Sequence, residues 1–341
     1  MTACRFPHPL RAISATSAAI LALAAASAMA QDLKPLTVVL SYVPNVENFG
    51  ALYAKEMGFF EQAGLDVTLI PGGQGIDQIQ MVSAGMAQLG MTGADSVVAA
   101  VDKGADLKVI AAQFQTSPVA MTCREDSGIT EPSMIAGKRL GVKQAAQVYA
   151  ESFLAKNDVD IADVETTTIG NSDVSTIIAG AVDCMITTFA VNEPRLIENA
   201  GVPVTVLPLG DWGMNSQSGS WIVTGEFLSD PENAQTLVAY LEAEARAWDV
   251  YFDDPEAAAQ FIVEGNFNDG LDLDQQTYQA VHQADYMLSD LTAENGILWL
   301  DPDVWDETVQ NAFEAGAASS VIDPESFTTT EILEAAQLPM R

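Results

Sequence analysis

Short apolar runs alternate with helical apolar stripes from residue 36 onward, and that alternation sets the fold class. Leu36-Thr37-Val38-Val39-Leu40-Ser41-Tyr42 has the length and β-branched content of a buried strand. Phe49, Leu52, Tyr53, Met57 and Phe60 then fall on one face of a helix that stops before Gly64. The same spacing predicts strands over Leu65–Ile70, Gln88–Met91 and Leu107–Phe114, with helices over Gly75–Ala84 and Asp95–Lys103 between them. Strands separated by helices imply βαβ units and a mostly parallel sheet with helices on both faces.

After Thr116-Ser117-Pro118 the rhythm restarts. Strands are predicted over Val119–Thr122, Arg139–Val142, Val164–Ile169, Met185–Ile186 and Pro203–Leu207. The helices between them run over Ala146–Lys156, Ser175–Ala181 and Asn192–Asn199. The turn-rich stretch from Gly210 to Gly219 breaks the pattern, and beyond it the chain reads as mainly helical. Ala234, Leu237, Val238, Leu241, Ala245, Trp248 and Phe252 mark one long amphipathic helix, with others starting at Pro255, Leu273 and Asp303. Helical stripes with no sheet of their own must bury somewhere, and packing back on the first lobe satisfies them. The expectation is therefore an α/β fold of two lobes, each a mostly parallel sheet flanked by helices. Residues 31–116 plus 221–341 form lobe 1, which is discontinuous, and residues 117–220 form lobe 2. The hinge crosses near Thr116–Pro118 and Met214–Trp221, and the strand ends of both sheets surround one cleft.

The first thirty residues stand apart. Arg5 and Arg11 precede an Ala-rich apolar run that closes on Ala28-Met29-Ala30, the layout of a secretory signal peptide cut after Ala30. The run is short for a membrane span, which needs about 20 apolar residues. Export to the periplasm follows as the expected location. In the 341-residue chain, 14 Lys and Arg face 47 Asp and Glu, a net −33 that repels phosphate backbones and excludes a nucleic-acid partner. A 48% share of hydrophobic residues is enough to bury a core, so disorder is excluded too. Behind the leader only Cys123, Cys184 and His282 remain of their kinds. The two cysteines either bridge, as an oxidising compartment permits, or stay as buried thiols on neighbouring strands.

Catalytic signatures are missing. His282 lies inside a predicted helix, Gln276–Leu288, and there is no Gly-x-Ser-x-Gly elbow, no His-Glu-x-x-His and no zinc-spaced Cys/His cluster. Pro71-Gly72-Gly73-Gln74-Gly75 follows a strand but lacks P-loop and dinucleotide spacing, so it is either a backbone approach to a ligand or a tight turn. Asp269, Asp272 and Asp274 depart from a calcium loop and read as a solvated acidic loop. A binding protein without metal or cofactor is expected rather than an enzyme.

Longer segments are more specific. The run from Tyr42-Val43-Pro44-Asn45 through Gly58-Phe59-Phe60 resembles the opening of periplasmic substrate-binding proteins of ABC importers, in the nitrate/sulfonate/taurine and thiamine-pyrimidine-precursor group. Ser83-Ala84-Gly85-Met86-Ala87-Gln88-Leu89-Gly90-Met91-Thr92-Gly93-Ala94-Asp95-Ser96, Gly137-Lys138-Arg139-Leu140-Gly141-Val142 and Trp221-Ile222-Val223-Thr224 are similar to the same group. The resemblance implies a two-lobe periplasmic binding protein fold of type II. It implies a monomer that captures a small molecule and hands it to an ABC permease with its ATPase. Pro44-Asn45 is similar to the subset handling thiamine pyrimidine precursors and riboflavin, so the expected ligand is a small nitrogen heterocycle. The alternatives are a receptor for a sulfonate, nitrate or other small anion, and an exported enzyme resembling the pyrimidine synthase. That enzyme's cysteine-rich motif is not matched here, and Asn48 stands where thiamine-precursor binders often carry histidine.

Ligand contacts are expected at strand ends. Tyr42 stacks on a flat ring or packs in the core; Asn45 reads a heterocycle edge or turns the chain. Asn48 is a contact or a helix cap. Gly93, Ala94 and Asp95 open a helix whose free N–H groups point at the cleft, with Asp95 either capping it or binding an amine. Ser117 sits at the first crossing, and Gln144 and Asn171 follow strands of lobe 2. Thr188, Asn192 and Glu193 lie where related binders place contacts. Glu193 either recognises an N–H donor and repels anions, or is a first-turn acid favoured by its helix. Trp212 is an aromatic wall or a core residue. Hinge closure over the ligand is the expected mechanism.

Overall fold

The computed structural model describes residues 33–73, 75–143, 146–170 and 174–341. Among these residues there are ten strands: β1 Lys34–Val39, β2 Leu65–Ile70, β3 Leu89–Thr92, β4 Leu107–Ala112, β5 Val119–Arg124, β6 Arg139–Lys143, β7 Glu165–Ile169, β8 Cys184–Phe189, β9 Val204–Pro208 and β10 Ser220–Thr224. They form two five-stranded sheets with matching layouts, β2-β1-β3-β10-β4 and β7-β6-β8-β5-β9. In each sheet one strand runs against its neighbours: β10 between β3 and β4, and β5 between β8 and β9. Both begin just after the chain has passed from one sheet to the other. The parallel strands end at the cleft, so a strand that starts there runs away from it.

β10 corrects the expectation of a mainly helical stretch after Gly219. Its apolar core, Trp221-Ile222-Val223, is too short to show a period, yet all three side chains are fully buried. The helix expected from Phe49 to Phe60 is two pieces, Phe49–Glu56 and Phe59–Gln62, because Gly58 takes a left-handed φ of 69° between them. The helix expected from Gly75 starts at Gln78, where the Asp77 carboxylate accepts the Gln80 N–H at 2.9 Å and caps it. β8 outgrows its predicted pair of residues at both ends.

The segment from Pro231 onward buries its stripes in the same core as the first sheet. Leu237, Tyr240, Trp248 and Trp305 join Leu36, Val38, Phe49 and Ile222 there. Gly50 makes this close: a Cβ at that position would meet the Trp248 ring at 2.1 Å. The second sheet carries a separate core on each face, one around Met121, Phe153 and Ile186, the other around Ile177, Val182 and Ile197. Cys123 and Cys184 face each other in the β5–β8 register and are bridged. No described helix is long and apolar enough to cross a membrane.

Two chain crossings join the sheets and are tied to each other by buried polar groups. Ser117 N–H donates to Asn215 Oδ1 at 2.9 Å, and Gln217 Nε2 donates to Gln115 Oε1 at 3.1 Å. Both glutamine amides also donate to the Trp299 carbonyl.

Candidate functional site

Where the strand ends of the two sheets meet, a cleft holds two neighbouring chambers that share Val119 and Thr187 in their walls. The first, about 300 Å³, is the more polar in its side chains. Its floor is the loop after β1. Asn45 Oδ1 accepts the Glu47 N–H at 2.8 Å and starts a short 3₁₀ turn that places the Glu47 carboxylate in the chamber. There Ser41 Oγ donates to Glu47 Oε1 at 2.8 Å. Burial pushes the Glu47 carboxyl up to about 7; the Ser41 hydrogen bond opposes this and the Glu193 charge adds to it. The loop itself is pinned from behind, with Val46 N–H donating to Gln276 Oε1 and Gln283 Nε2 donating to the Val46 carbonyl.

Lobe 2 contributes the opposite wall. Lys143, at the end of β6, donates to Glu193 Oε1 at 3.2 Å and to the Thr187 carbonyl at 2.6 Å. Glu193 Oε2 accepts the Phe189 N–H at 2.8 Å. That carbonyl is aimed by a β-bulge: the β5–β8 register slips between Ala120 and Met121, and the extra residue, Thr187, takes a φ of 61°. A β-branched residue in that region is strained, and here the strain sits at the cleft wall.

The second chamber, about 320 Å³, lies between Asp95 and Asn311 on one side and Tyr149 and Met214 on the other. Burial pushes the Asp95 carboxyl up to about 6 against a lowering backbone hydrogen bond. The Tyr149 hydroxyl is raised by burial first and by the Asp95 charge second. Among the described residues the two chambers hold three carboxyl groups and one ammonium, and that ammonium is already paired.

The expected contacts divide clearly. Tyr42, Thr188, Asn192 and Glu193 line the first chamber and Asp95 the second. Asn45 lines an adjoining groove that shares Tyr42 and Asn192 with the first chamber. Thr188 is buried, its hydroxyl 2.6 Å from that of Thr122. Both Glu193 oxygens are engaged within the protein, by Lys143 and by the Phe189 N–H, while Glu47 in the same chamber accepts from Ser41. Asn48 is buried behind the wall, donating to Ser41 Oγ at 3.3 Å and making no side-chain cap. Gly93 and Ala94 open the Ala94–Asp102 helix, but only the Asp95 side chain among these three lines a chamber. Ser117 is buried in the crossing, where it braces Asn215 and Val119. Trp212 packs on the second-lobe core and lines neither chamber, whose aromatics are Tyr42, Phe189 and Tyr149. Gln144 and Asn171 lie outside the described residues.

Other expectations find their places. Gly72 is a close approach of chain to chain: a Cβ would meet the Leu40 carbonyl at 2.4 Å. Asp272 caps the Leu273–Met287 helix, and Asp274 pairs with Arg195 at 2.9 Å. His282 is exposed, its ring 4.3 Å from that of Tyr278. Sequence reasoning passed over Ser41, Glu47, Lys143, Thr187 and Asn311. Glu47, two residues from Asn45, and Lys143, a rare base at a strand end, carried a signal. Thr187 and Asn311 carried none.

Residues 45–258 match the family described as NMT1/THI5 like. The chain belongs to that family. It is 25% identical to the riboflavin-binding protein RibY of Chloroflexus aurantiacus, over 98% of this chain and 94% of RibY. It is 20% identical to the formylaminopyrimidine-binding protein of Halalkalibacterium halodurans, over 86% of this chain and 92% of that protein. The solved alkanesulfonate-binding protein SsuA of Xanthomonas axonopodis pv. citri, bound to MOPS, superposes with a TM-score of 0.64 at 13% identity, over 87% of this chain and 99% of SsuA. At that identity SsuA shows the fold alone, and the fold is that of periplasmic binding proteins.

Proposed function

We propose that this chain is the periplasmic solute-binding component of an ABC importer and that it captures a small nitrogen heterocycle in its interlobe cleft. The observation that carries the reading is the charge of the cleft. Glu47 and Glu193 line one chamber and Asp95 the other, and the single ammonium among the described lining residues, Lys143, is already held by Glu193 and the Thr187 carbonyl. Such a site attracts N–H donors and repels sulfonate or nitrate. Tyr42 and Phe189 line the same chamber and offer flat apolar faces to a ring. The names of the two binding-protein relatives support the same ligand class.

Closure supplies the mechanism. Each lobe holds part of the site, so ligand favours the closed state by its differential affinity for it. The closed monomer then presents both lobes to a membrane permease driven by an ATPase. Binding without turnover suits a cleft lined by carboxyls, tyrosines and one paired lysine, with the histidine on an exposed helix face outside it.

A thermal-shift panel tests the ligand class. Riboflavin and a 4-aminopyrimidine are expected to raise Tm, and taurine and nitrate to leave it unchanged. Glu47→Gln is expected to weaken heterocycle binding by roughly tenfold, the worth of one charge-assisted hydrogen bond. Stabilisation by taurine or nitrate, with none by the heterocycles, would overturn the assignment.

A further inference from the structure

Thr122, on β5, is fully buried and lines neither chamber, yet its hydroxyl lies 2.6 Å from that of Thr188 on β8. In the ladder Thr122 stands opposite Met185, and Thr188 is three residues further on, across the bulge. The direction of the pair follows from its neighbour. Thr188 Oγ1 donates its one proton to the Ala120 carbonyl at 3.0 Å, so Thr122 is the donor between the two hydroxyls. Pro208, the partner of Ala120 on β9, has no N–H to offer that carbonyl. The two hydroxyls thus form a relay that crosses the bulge and closes on a backbone acceptor. The Cys123–Cys184 bridge fixes the strand pair on one side of the bulge, and the relay fixes it on the cleft side.

What the relay holds belongs to the cleft. A strand that loses a bulge slips by one residue and turns the side chains beyond it to the other face. Within or beyond this bulge lie the Thr187 carbonyl that accepts from Lys143, the Phe189 N–H that donates to Glu193, and the Phe189 ring in the first chamber. Thr187 at φ 61° is in a costly conformation for a β-branched residue, so backbone preference does not sustain the bulge and side-chain ties must. The Lys143 and Glu193 side chains are only 15% and 9% exposed, so the ammonium is enclosed by partners that the bulge aims. With the bulge lost, the first chamber would present a released ammonium, a group that takes an anion.

We infer that Thr122 is a positioning residue for ligand charge: through Thr188 it holds the β8 bulge, and the bulge keeps Lys143 occupied and withheld from anions. The inference rests on the receptor reading above and adds where the discrimination is set, which is behind the cleft wall rather than at a ligand contact.

The protein without ligand gives the first readout. Held by a carboxylate and a carbonyl, the Lys143 ammonium is expected to show a slowly exchanging NMR signal, assigned by its loss in Lys143→Met. Thr122→Val removes the hydroxyl and keeps the shape, and is expected to speed that exchange about tenfold, the worth of one hydrogen bond. Thr122→Ser keeps the hydroxyl and is expected to leave the exchange as in the parent. Calorimetry gives the second readout. Thr122→Val is expected to bind taurine about tenfold tighter than the parent and a 4-aminopyrimidine about tenfold weaker, and the taurine gain is expected to vanish when Lys143→Met is added. Should Thr122→Val not fold, deletion of Thr187 removes the bulge outright and is expected to produce the same two changes. A folded Thr122→Val that melts earlier, yet keeps the parent's Lys143 exchange and ligand preference, would overturn the inference and leave the heterocycle receptor standing. If the parent binds taurine and no heterocycle, the receptor reading fails by itself, and the exchange measurement, made without ligand, still decides whether Thr122 holds the bulge.

Discussion

Glu244 shows at one residue how far the core bends ordinary chemistry. It is 1% exposed, its Oε1 accepts from Trp248 Nε1 at 3.4 Å, and Oε2 has no partner among the described residues. Burial pushes its carboxyl up to about 8, against the lowering effect of its hydrogen bonds. The folded value lies above the unfolded one, so the folded protein holds the proton more tightly. The stability this gives is full below about 4.5 and is lost as pH rises through 8. Glu47 and Asp95 have the same sign at about 7 and 6. Glu244→Gln removes the ionising form. We expect its Tm to exceed the parent's by about 5 °C at pH 8 and to match it at pH 5, read by scanning fluorimetry at both pH values. An equal shift at both would show that the Glu244 carboxyl does not titrate over this range. None of this is legible in the sequence, where Glu244 is one acid among many on an amphipathic helix.

At the scale of elements, the Leu273–Met287 helix does more than its stripe foretold. Gln275, Gln276, Gln279 and Gln283 are all buried along one face, an arrangement that apolar periodicity treats as the solvent side. They are inside because the loop after β1 needs partners: both polar groups of the Val46 peptide are satisfied by Gln276 and Gln283. The loop that presents Glu47 is thus held by a helix some two hundred residues further along. Gln276→Ala leaves the Val46 N–H buried without an acceptor and is expected to cost about 1–3 kcal/mol. Urea denaturation at constant m-value measures this; a loss within 0.5 kcal/mol would mean the loop rearranges to find another partner. The β8 bulge is a second such case, since only the pairing with β5 reveals that Thr187 is the extra residue.

For the whole molecule, hydrogen bonds between the lobes flank the cleft. On one side Gln275 Nε2 donates to Asn192 Oδ1 at 2.8 Å and Arg195 pairs with Asp274; on the other Lys156 reaches Asn311 and Glu314. These bonds exist only when the lobes are together, so they favour the closed state. The Arg195–Asp274 pair is partly exposed and worth at most about 1 kcal/mol. Arg195→Ala is therefore expected to weaken ligand binding no more than about fivefold and to leave ligand-induced compaction by X-ray scattering intact. Compaction lost altogether would make this pair the principal latch, against the distribution of contacts seen here.

The sequence by itself determined the two α/β halves, the helices that follow, the strand ends where contacts gather and the excess of acid, because period, turn residues and charge are local properties of the chain. Tyr42, Asp95, Thr188 and Asn192, which line the chambers, were expected near the cleft on that ground, each close to a strand end. Which acid of the loop after β1 reaches the cleft, which lysine pairs with Glu193, that Trp212 packs on a core, and that Gln276 meets Val46 were decided only by tertiary structure. Partners in those cases are tens to hundreds of residues apart, and burial, which sets their charge and cost, belongs to the packed molecule rather than to any segment of it.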